Sequence, residues 1–252
     1  MKIKYLNFQR EKTNIRCKMY YQNDMKLTSL VIYGHGFAGH KENKAAERLA
    51  EKLTGKNKGF GLLTFDLPCH GEDVKKKLSL EDCIMYIDVV INDAKAVLGA
   101  EKLYFNATSF GAFLILKYIS ENGNPFEKIV LRSPSVDMFK VVHSTLISDD
   151  TMEKLNKKKE AEIGFDRKVT ITTQFLQDLE DTKIFDRDFM EFADDILVLH
   201  GTKDELAPFE DAEKFCDDNV IEFIPVEDAD HRFKDLKKLE YANAVTLEFF
   251  GL

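Results

Sequence analysis

The stretch Leu103-Tyr104-Phe105-Asn106-Ala107-Thr108-Ser109-Phe110-Gly111-Ala112 decides how this chain is read. An alternating apolar segment passes through small residues directly into a helix-periodic apolar run that begins at Phe110. A serine among small residues at such a junction has the form of a nucleophile elbow. The tight turn strains the serine backbone and holds its hydroxyl clear of the sheet. The common elbow is Gly-x-Ser-x-Gly, and here Ala107 takes the first glycine's place. The surroundings must supply the rest of the case.

Upstream, residues 3–8 and 14–21 alternate around the polar turn Arg10-Glu11-Lys12-Thr13 and predict an antiparallel hairpin. Leu30-Val31-Ile32-Tyr33 is a continuous apolar run, as in a strand buried on both faces, and it stops at Gly34-His35-Gly36-Phe37. Helical spacing follows from Lys44 to Leu53. A second buried strand, Gly61–Phe65, ends in Asp66-Leu67-Pro68-Cys69-His70-Gly71, and a long helix runs from Ser79 to Leu98 with Ser79 as its cap. Downstream lie the helix 110–121, the strand Lys128–Leu131, two further strands at Ile196–Leu199 and Val220–Ile224, and a closing helix over about 233–250. Short apolar strands alternating with helices predict an α/β fold, a mostly parallel sheet covered on both faces. Ligands of such sheets sit beyond the carboxyl ends of the strands. The strand ends therefore become the candidate site.

Residues 137–190 break the alternation. They are charge-rich, and too long for a plain loop in a compact domain. The expected organisation is a core of 1–136 and 191–252 carrying an inserted helical lid at 137–190. The aromatic residues Phe139, Phe165, Phe175 and Phe185 would suit an apolar acyl group, although aromatics in a small subdomain more often form its own core.

With 252 residues, 44% hydrophobic and 32% charged, the chain can bury a substantial core. A net charge of -8 without a dense basic block argues against a nucleic-acid partner. No apolar run is long enough to span a bilayer, and the N-terminus lacks a signal-like apolar stretch, so a cytoplasmic protein without a membrane partner is expected. The four cysteines (Cys17, Cys69, Cys83, Cys216) lack metal-ligand spacing and read as reduced thiols. No cofactor and no metal are expected. A homodimer is left open.

A serine hydroxyl needs a base, an acid to orient that base, and N–H donors for the oxyanion. Ser109 is the candidate nucleophile. Asp204, in His200-Gly201-Thr202-Lys203-Asp204, follows a buried strand and is the candidate acid. His231, in Asp230-His231-Arg232-Phe233, follows the last strand and is the candidate base. The oxyanion donors are expected to be the backbone N–H groups of Phe110, next after the nucleophile, and Phe37. The side chains of both phenylalanines are candidates for the pocket wall or the core. Cys69 and His70 form a rival pair, but neighbours in sequence rarely face each other usefully and no orienting group is evident. His35, His40, His143 and His200 receive structural or solvent roles.

With these residues collected, the chain resembles the α/β-hydrolase superfamily along nearly its whole length. His35-Gly36-Phe37 with Gly39-His40-Lys41 looks like the oxyanion loop of small bacterial carboxylesterases, notably cinnamoyl/feruloyl esterases and their serine-aminopeptidase-like and monoacylglycerol-lipase-like relatives. The loop at 66–71, the acid motif at 200–204 and the base motif at 229–233 are similar too. The resemblance implies a triad of Ser109, His231 and Asp204, a lid at 137–190, and hydrolysis of a small-molecule ester through an acyl-enzyme. Thioester, lipid, amide or short-peptide substrates are the alternatives on the same triad, and a non-catalytic binding protein is the alternative from another class. The departure is Ala107-Thr108 where family members usually carry Gly-His, which removes no catalytic atom.

Overall fold

The computed structural model describes residues 1–10, 13–22 and 27–252. The first two strands, β1 (Lys2–Arg10) and β2 (Thr13–Tyr21), pair antiparallel with Phe8 opposite Ile15; the tip of the expected turn, residues 11–12, lies outside the described residues. β2 then pairs antiparallel with β4 (Phe60–Phe65). From there inward every pairing is parallel, through β3 (Ser29–Gly34), β5 (Lys102–Thr108), β6 (Lys128–Arg132), β9 (Ile196–Gly201) and β10 (Glu222–Val226). The eight-stranded order is β1-β2-β4-β3-β5-β6-β9-β10. β3, β4 and β9 are buried along their whole length, which is why they read as unbroken apolar runs.

Helices cover both faces. On one, α1 (Lys44–Lys56) and α8 (Leu236–Phe249) pack Leu49, Leu53, Leu239 and Leu247 against Val31, Leu62 and Leu199 of the sheet. On the other, α2 (Leu80–Ala96) and α3 (Phe110–Asn122) press Ile87, Val90, Phe113 and Leu116 onto Ile32, Phe105 and Val198. Caps fix where these helices start. Asn43 accepts from the N–H groups of Ala45 and Ala46, Ser79 from Asp82 and Asp235 from Lys237, each cap contributing about 1 kcal/mol. The last strand begins two residues later than its apolar run suggests. Val220 is an exposed, left-handed cap (φ 58°) on α7 (Phe209–Asn219), so the run's first residue terminates a helix.

The segment 137–190 is not wholly helical. Helices α4 (Met138–Thr145) and α5 (Asp149–Lys158) lead to a hairpin of β7 (Glu160–Ile163) and β8 (Val169–Thr172), then to α6 (Thr173–Asp181). Alternating burial at Ala161, Ile163, Val169 and Ile171 explains the strands: each puts one face on the core. Those side chains, with Leu155, Phe175 and Leu179, join the same apolar cluster as α2 and α3. Phe175 and Phe185 are therefore core or core-packed residues, whereas Phe165 stays exposed in the hairpin turn. Among the described residues, no helix is long and apolar enough to cross a membrane.

Candidate active site

Ser109 sits between β5 and α3 with φ 51° and ψ -116°. That left-handed backbone costs a non-glycine residue on the order of 1–3 kcal/mol, so its surroundings must impose it. They do. The Ser109 N–H donates to the Arg132 carbonyl (3.2 Å), and the Ser109 carbonyl accepts from Ala112 (3.0 Å) and Phe113 (3.1 Å). A serine that starts a helix normally turns its hydroxyl onto the first-turn N–H groups. Ser109 makes no such cap bond, and its Oγ is 3.0 Å from His231 Nε2 instead.

The elbow's packing explains the Ala107 departure. Ala107 is fully buried and pairs with Gly34 on the next strand. Its methyl lies 3.5 Å from where a Gly34 side chain would begin, an ordinary contact. Gly111 has no such latitude. A Cβ there would sit 2.6 Å from the Gly34 carbonyl oxygen and 2.7 Å from that of His35. The first small position of the elbow tolerates a methyl and the second does not.

The loop after β9 delivers Asp204 and the loop after β10 delivers His231. The two are tied together by the Lys203 N–H on the Ala229 carbonyl (3.0 Å) and the Thr202 N–H on that of Val226 (3.1 Å). His231 Nδ1 lies 2.9 and 2.8 Å from the two Asp204 oxygens. With a carboxylate there, Nδ1 carries the proton and Nε2 is left to accept from Ser109. Asp204 Oδ1 also accepts from the N–H groups of Leu206 (2.9 Å) and Ala207 (2.8 Å). His200, wholly buried, directs its Nε2 at Asp204 Oδ2 (3.2 Å) and at the Ala207 carbonyl (3.1 Å). Burial alone would raise the Asp204 carboxyl, but the hydrogen bonds from His200 and His231 dominate and hold it well below the usual carboxylate range.

Neither candidate oxyanion donor, the Phe110 or the Phe37 N–H, is spent on a bond among the described residues. The Phe110 N–H opens α3, so the helix dipole adds to it. The loop carrying Phe37 is shaped by His35. The Leu67 N–H donates to His35 Nε2 (3.2 Å), which leaves Nδ1–H to donate to the Gly36 carbonyl (2.8 Å), and the Gly39 N–H reaches that same oxygen (2.9 Å). Burial, with His70 nearby, depresses the His35 imidazole to about 3, so it stays neutral. Gly36 itself runs against Ser109: a Cβ there would lie 3.3 Å from Ser109 Cβ. Beyond it, the buried Asp66 carboxylate gathers the Lys41 N–H (2.7 Å), Lys41 Nζ (3.2 Å) and the Glu72 N–H (3.0 Å), mooring the far end of the loop to the turn after β4.

Some open alternatives are decided and some expectations change. The Phe110 side chain is fully buried against Phe113 and Phe175 and lines no pocket, whereas Phe37 does face the cleft. Cys69 and His70 do not meet. His70 bonds the Pro68 carbonyl (2.7 Å) and packs beside His35. Desolvation, with the Asp73 carboxylate, pushes the Cys69 thiol up to about 12. His35 and His200, read as structural, touch the site directly through the Gly36 carbonyl and Asp204, and His40, read the same way, lines the cleft. Only His143 stays apart, on α4 beside Phe139. Sequence reasoning missed Ser135, whose Oγ is 3.3 Å from Ser109 Oγ. The Ser133-Pro134-Ser135 run at the end of β6, with Ser133 at φ 48°, was its one available signal. A cleft of about 400 Å³ opens over Ser109 and His231, walled by Phe37, Arg132, Met138, Val141, Phe165 and Leu206 among others. No group of three His, Cys, Asp or Glu side chains among the described residues could hold a metal ion.

Sheet order, elbow and loop positions define an α/β-hydrolase. Within that class the chain belongs to the prolyl oligopeptidase family, whose sequence profile matches residues 66–251 and so spans Ser109, Asp204 and His231. Among solved structures it is similar to Est1E from Butyrivibrio proteoclasticus with ferulic acid bound (18% identity, 98% of this chain and 100% of that one, TM-score 0.79). It is also similar to alpha/beta hydrolase domain-containing protein 10 from mouse (14%, 100% and 99%, 0.72) and to a soluble variant of monoglyceride lipase from Saccharomyces cerevisiae (15%, 98% and 93%, 0.68). These likenesses show the fold. No curated protein matches the chain in sequence.

Proposed function

We propose that the protein is a serine carboxylesterase. The observation that carries this reading is the unbroken chain from Ser109 Oγ through His231 to Asp204, at 3.0 Å and then 2.8 to 2.9 Å, over a cleft. Ser109 Oγ attacks the ester carbonyl as His231 Nε2 takes its proton. The C–O bond to the alcohol then breaks as that proton passes to the leaving oxygen, and water repeats the sequence on the acyl-enzyme. Asp204 fixes the Nδ1–H tautomer and stabilises the imidazolium formed in each half. The Phe37 and Phe110 N–H groups face the tetrahedral oxyanion, such donors being worth about 10²–10³ in rate each.

The ferulic acid in the Est1E structure makes hydroxycinnamate esters a natural part of the test panel. Family membership favours a second reading, cleavage of amino-acid or short-peptide amides on the same triad. The test is labelling by a fluorophosphonate, then turnover of p-nitrophenyl esters, hydroxycinnamate esters and aminoacyl p-nitroanilides. Stoichiometric labelling of Ser109 and a loss of roughly 10⁴-fold or more in Ser109→Ala are expected. Unlabelled, folded protein would refute the reading, and anilide turnover exceeding that of esters would favour the second one.

A further inference from the structure

The protein carries a net charge of -8, yet the wall of its cleft is cationic. Arg132, Arg167, Arg232 and Lys44 line it, against two carboxylates, Glu42 and Asp166. Glu42 is neutralised by Lys18 at 2.6 Å. Elsewhere Arg10, Arg48 and Arg187 are paired with Asp93, Glu240 and Glu121, and Arg16 on β2 is the one arginine outside the cleft without such a pair among the described residues. Arg132, Arg167 and Arg232 have no carboxylate within ion-pair distance among the described residues. Unpaired arginines concentrate where the substrate would enter.

Two of them rest over aromatic rings. The Arg132 guanidinium lies 5.1 Å from the Phe233 ring centre, and that of Arg232 lies 5.1 Å from that of Phe165. A cation–π contact holds a guanidinium in place without spending its N–H donors. The Arg132 Nε is buried with no hydrogen-bond partner, so no bond within the protein holds this guanidinium back from a ligand in the cleft. Both side chains are placed by the catalytic machinery itself. The Arg132 carbonyl receives the Ser109 N–H, and Arg232 directly follows His231. The same wall carries the apolar side chains of Met138, Val141 and Leu206 beside Ser109 and the arginines. A short hydrocarbon spacer ending in a planar anion complements such a wall.

We infer that the substrate is an ester bearing a free carboxylate a few carbons from the scissile carbonyl, with Arg132 and Arg232 as its receptor. The inference rests on the esterase reading above and narrows it to one substrate class. The cationic wall of an acidic protein would also draw such an anion to the cleft, an effect that salt weakens.

The test is pH-stat hydrolysis by the full chain of two matched pairs. Monomethyl succinate against methyl 4-methylpentanoate places the carboxylate on the acyl side, and O-butyryl glycolate against isobutyl butyrate places it on the alcohol side. For one pair the anionic ester should exceed its neutral isostere in kcat/KM by about tenfold or more at low salt. That ratio should fall toward one in Arg132→Met and Arg232→Met, and stay at the parent value in Arg48→Met, whose arginine is remote and paired. Succinate should also slow fluorophosphonate labelling of Ser109, less so in Arg132→Met. Neutral esters turned over with no anionic advantage in either pair, or a ratio untouched by both substitutions, overturns this inference alone. Labelling that succinate does not slow overturns it even where no ester in the panel is cleaved. Folded protein that neither turns over esters nor labels at Ser109 overturns the esterase reading instead.

Discussion

The rim of the sheet and the segment at 137–190 both surround the cleft, but they are built differently. At the rim each candidate catalytic group is held by more bonds than its position requires. Asp204 accepts from two histidines and two backbone N–H groups, and the Gly36 carbonyl from two donors. The inserted segment is anchored from beneath, through Phe175 and Leu179, while Phe165 and Arg167 project into the cleft with no hydrogen bond or ion pair of their own among the described residues. The geometry around Ser109, His231 and Asp204 is over-determined, and that of the inserted segment's face on the cleft is not. Rate and selectivity should therefore respond to different residues.

The sharpest way to break that division is Asp204→Asn. The amide would face its NH₂ toward donors and abolish the Nδ1–H tautomer, so kcat should fall by roughly 10³–10⁴-fold, measured on any accepted ester, with little change in KM. Phe175→Ala strikes where the two regions meet, since Phe175 packs edge-on against Phe110 at 6.4 Å. Removing a fully buried ring should cost about 3–5 kcal/mol, seen as a drop of about 10 °C in melting temperature. It should lower kcat far less than Asp204→Asn does. A fall as large would show that the inserted segment sets the elbow.

Stability should also weaken in mild acid. Burial lowers the His35 and His70 imidazoles to about 3 and about 4, below their unfolded values near 6.5. In that window the unfolded chain binds more protons than the folded one, so stability falls as pH drops through it. Melting temperature followed from pH 7 to pH 4 should decline, and His70→Phe should flatten the slope. The smallest effect is expected of Ala107→Gly. Ala107 pairs with Gly34, which has no side chain to crowd its methyl, so kcat/KM should change by less than about twofold. A larger gain would mean that Ala107 strains the elbow.

Most of the frame was legible in the chain because fully buried parallel strands leave unbroken apolar runs and their ends are abrupt. Ser109, Asp204 and His231 are selected by strand-end position together with residue type and chain order, and the fold brings the three within hydrogen-bond distance. What escaped had physical causes. The hairpin at 160–172 is half-buried and only four residues per strand, too short for its alternation to stand out among charges. Arg132 closes β6, and Ser135 gains its place through the turn after it, whose backbone path the sequence does not encode locally. His200 looked like any histidine on a buried strand. Only its approach to Asp204 Oδ2, at 3.2 Å, makes it part of the site.

The contact at Gly111 has a consequence for altering this protein by design. Phe110 and Phe37, the proposed oxyanion donors, stand on either side of a place where helix backbone rests on strand backbone with no side chain between them. The span of that pocket works as a fixed gauge. Side-chain substitution has nothing there to shorten or lengthen, so a library aimed at bulkier or differently charged esters is better spent on Arg132, Met138, Val141, Phe165 and Arg167, where the wall can be rebuilt without moving the gauge.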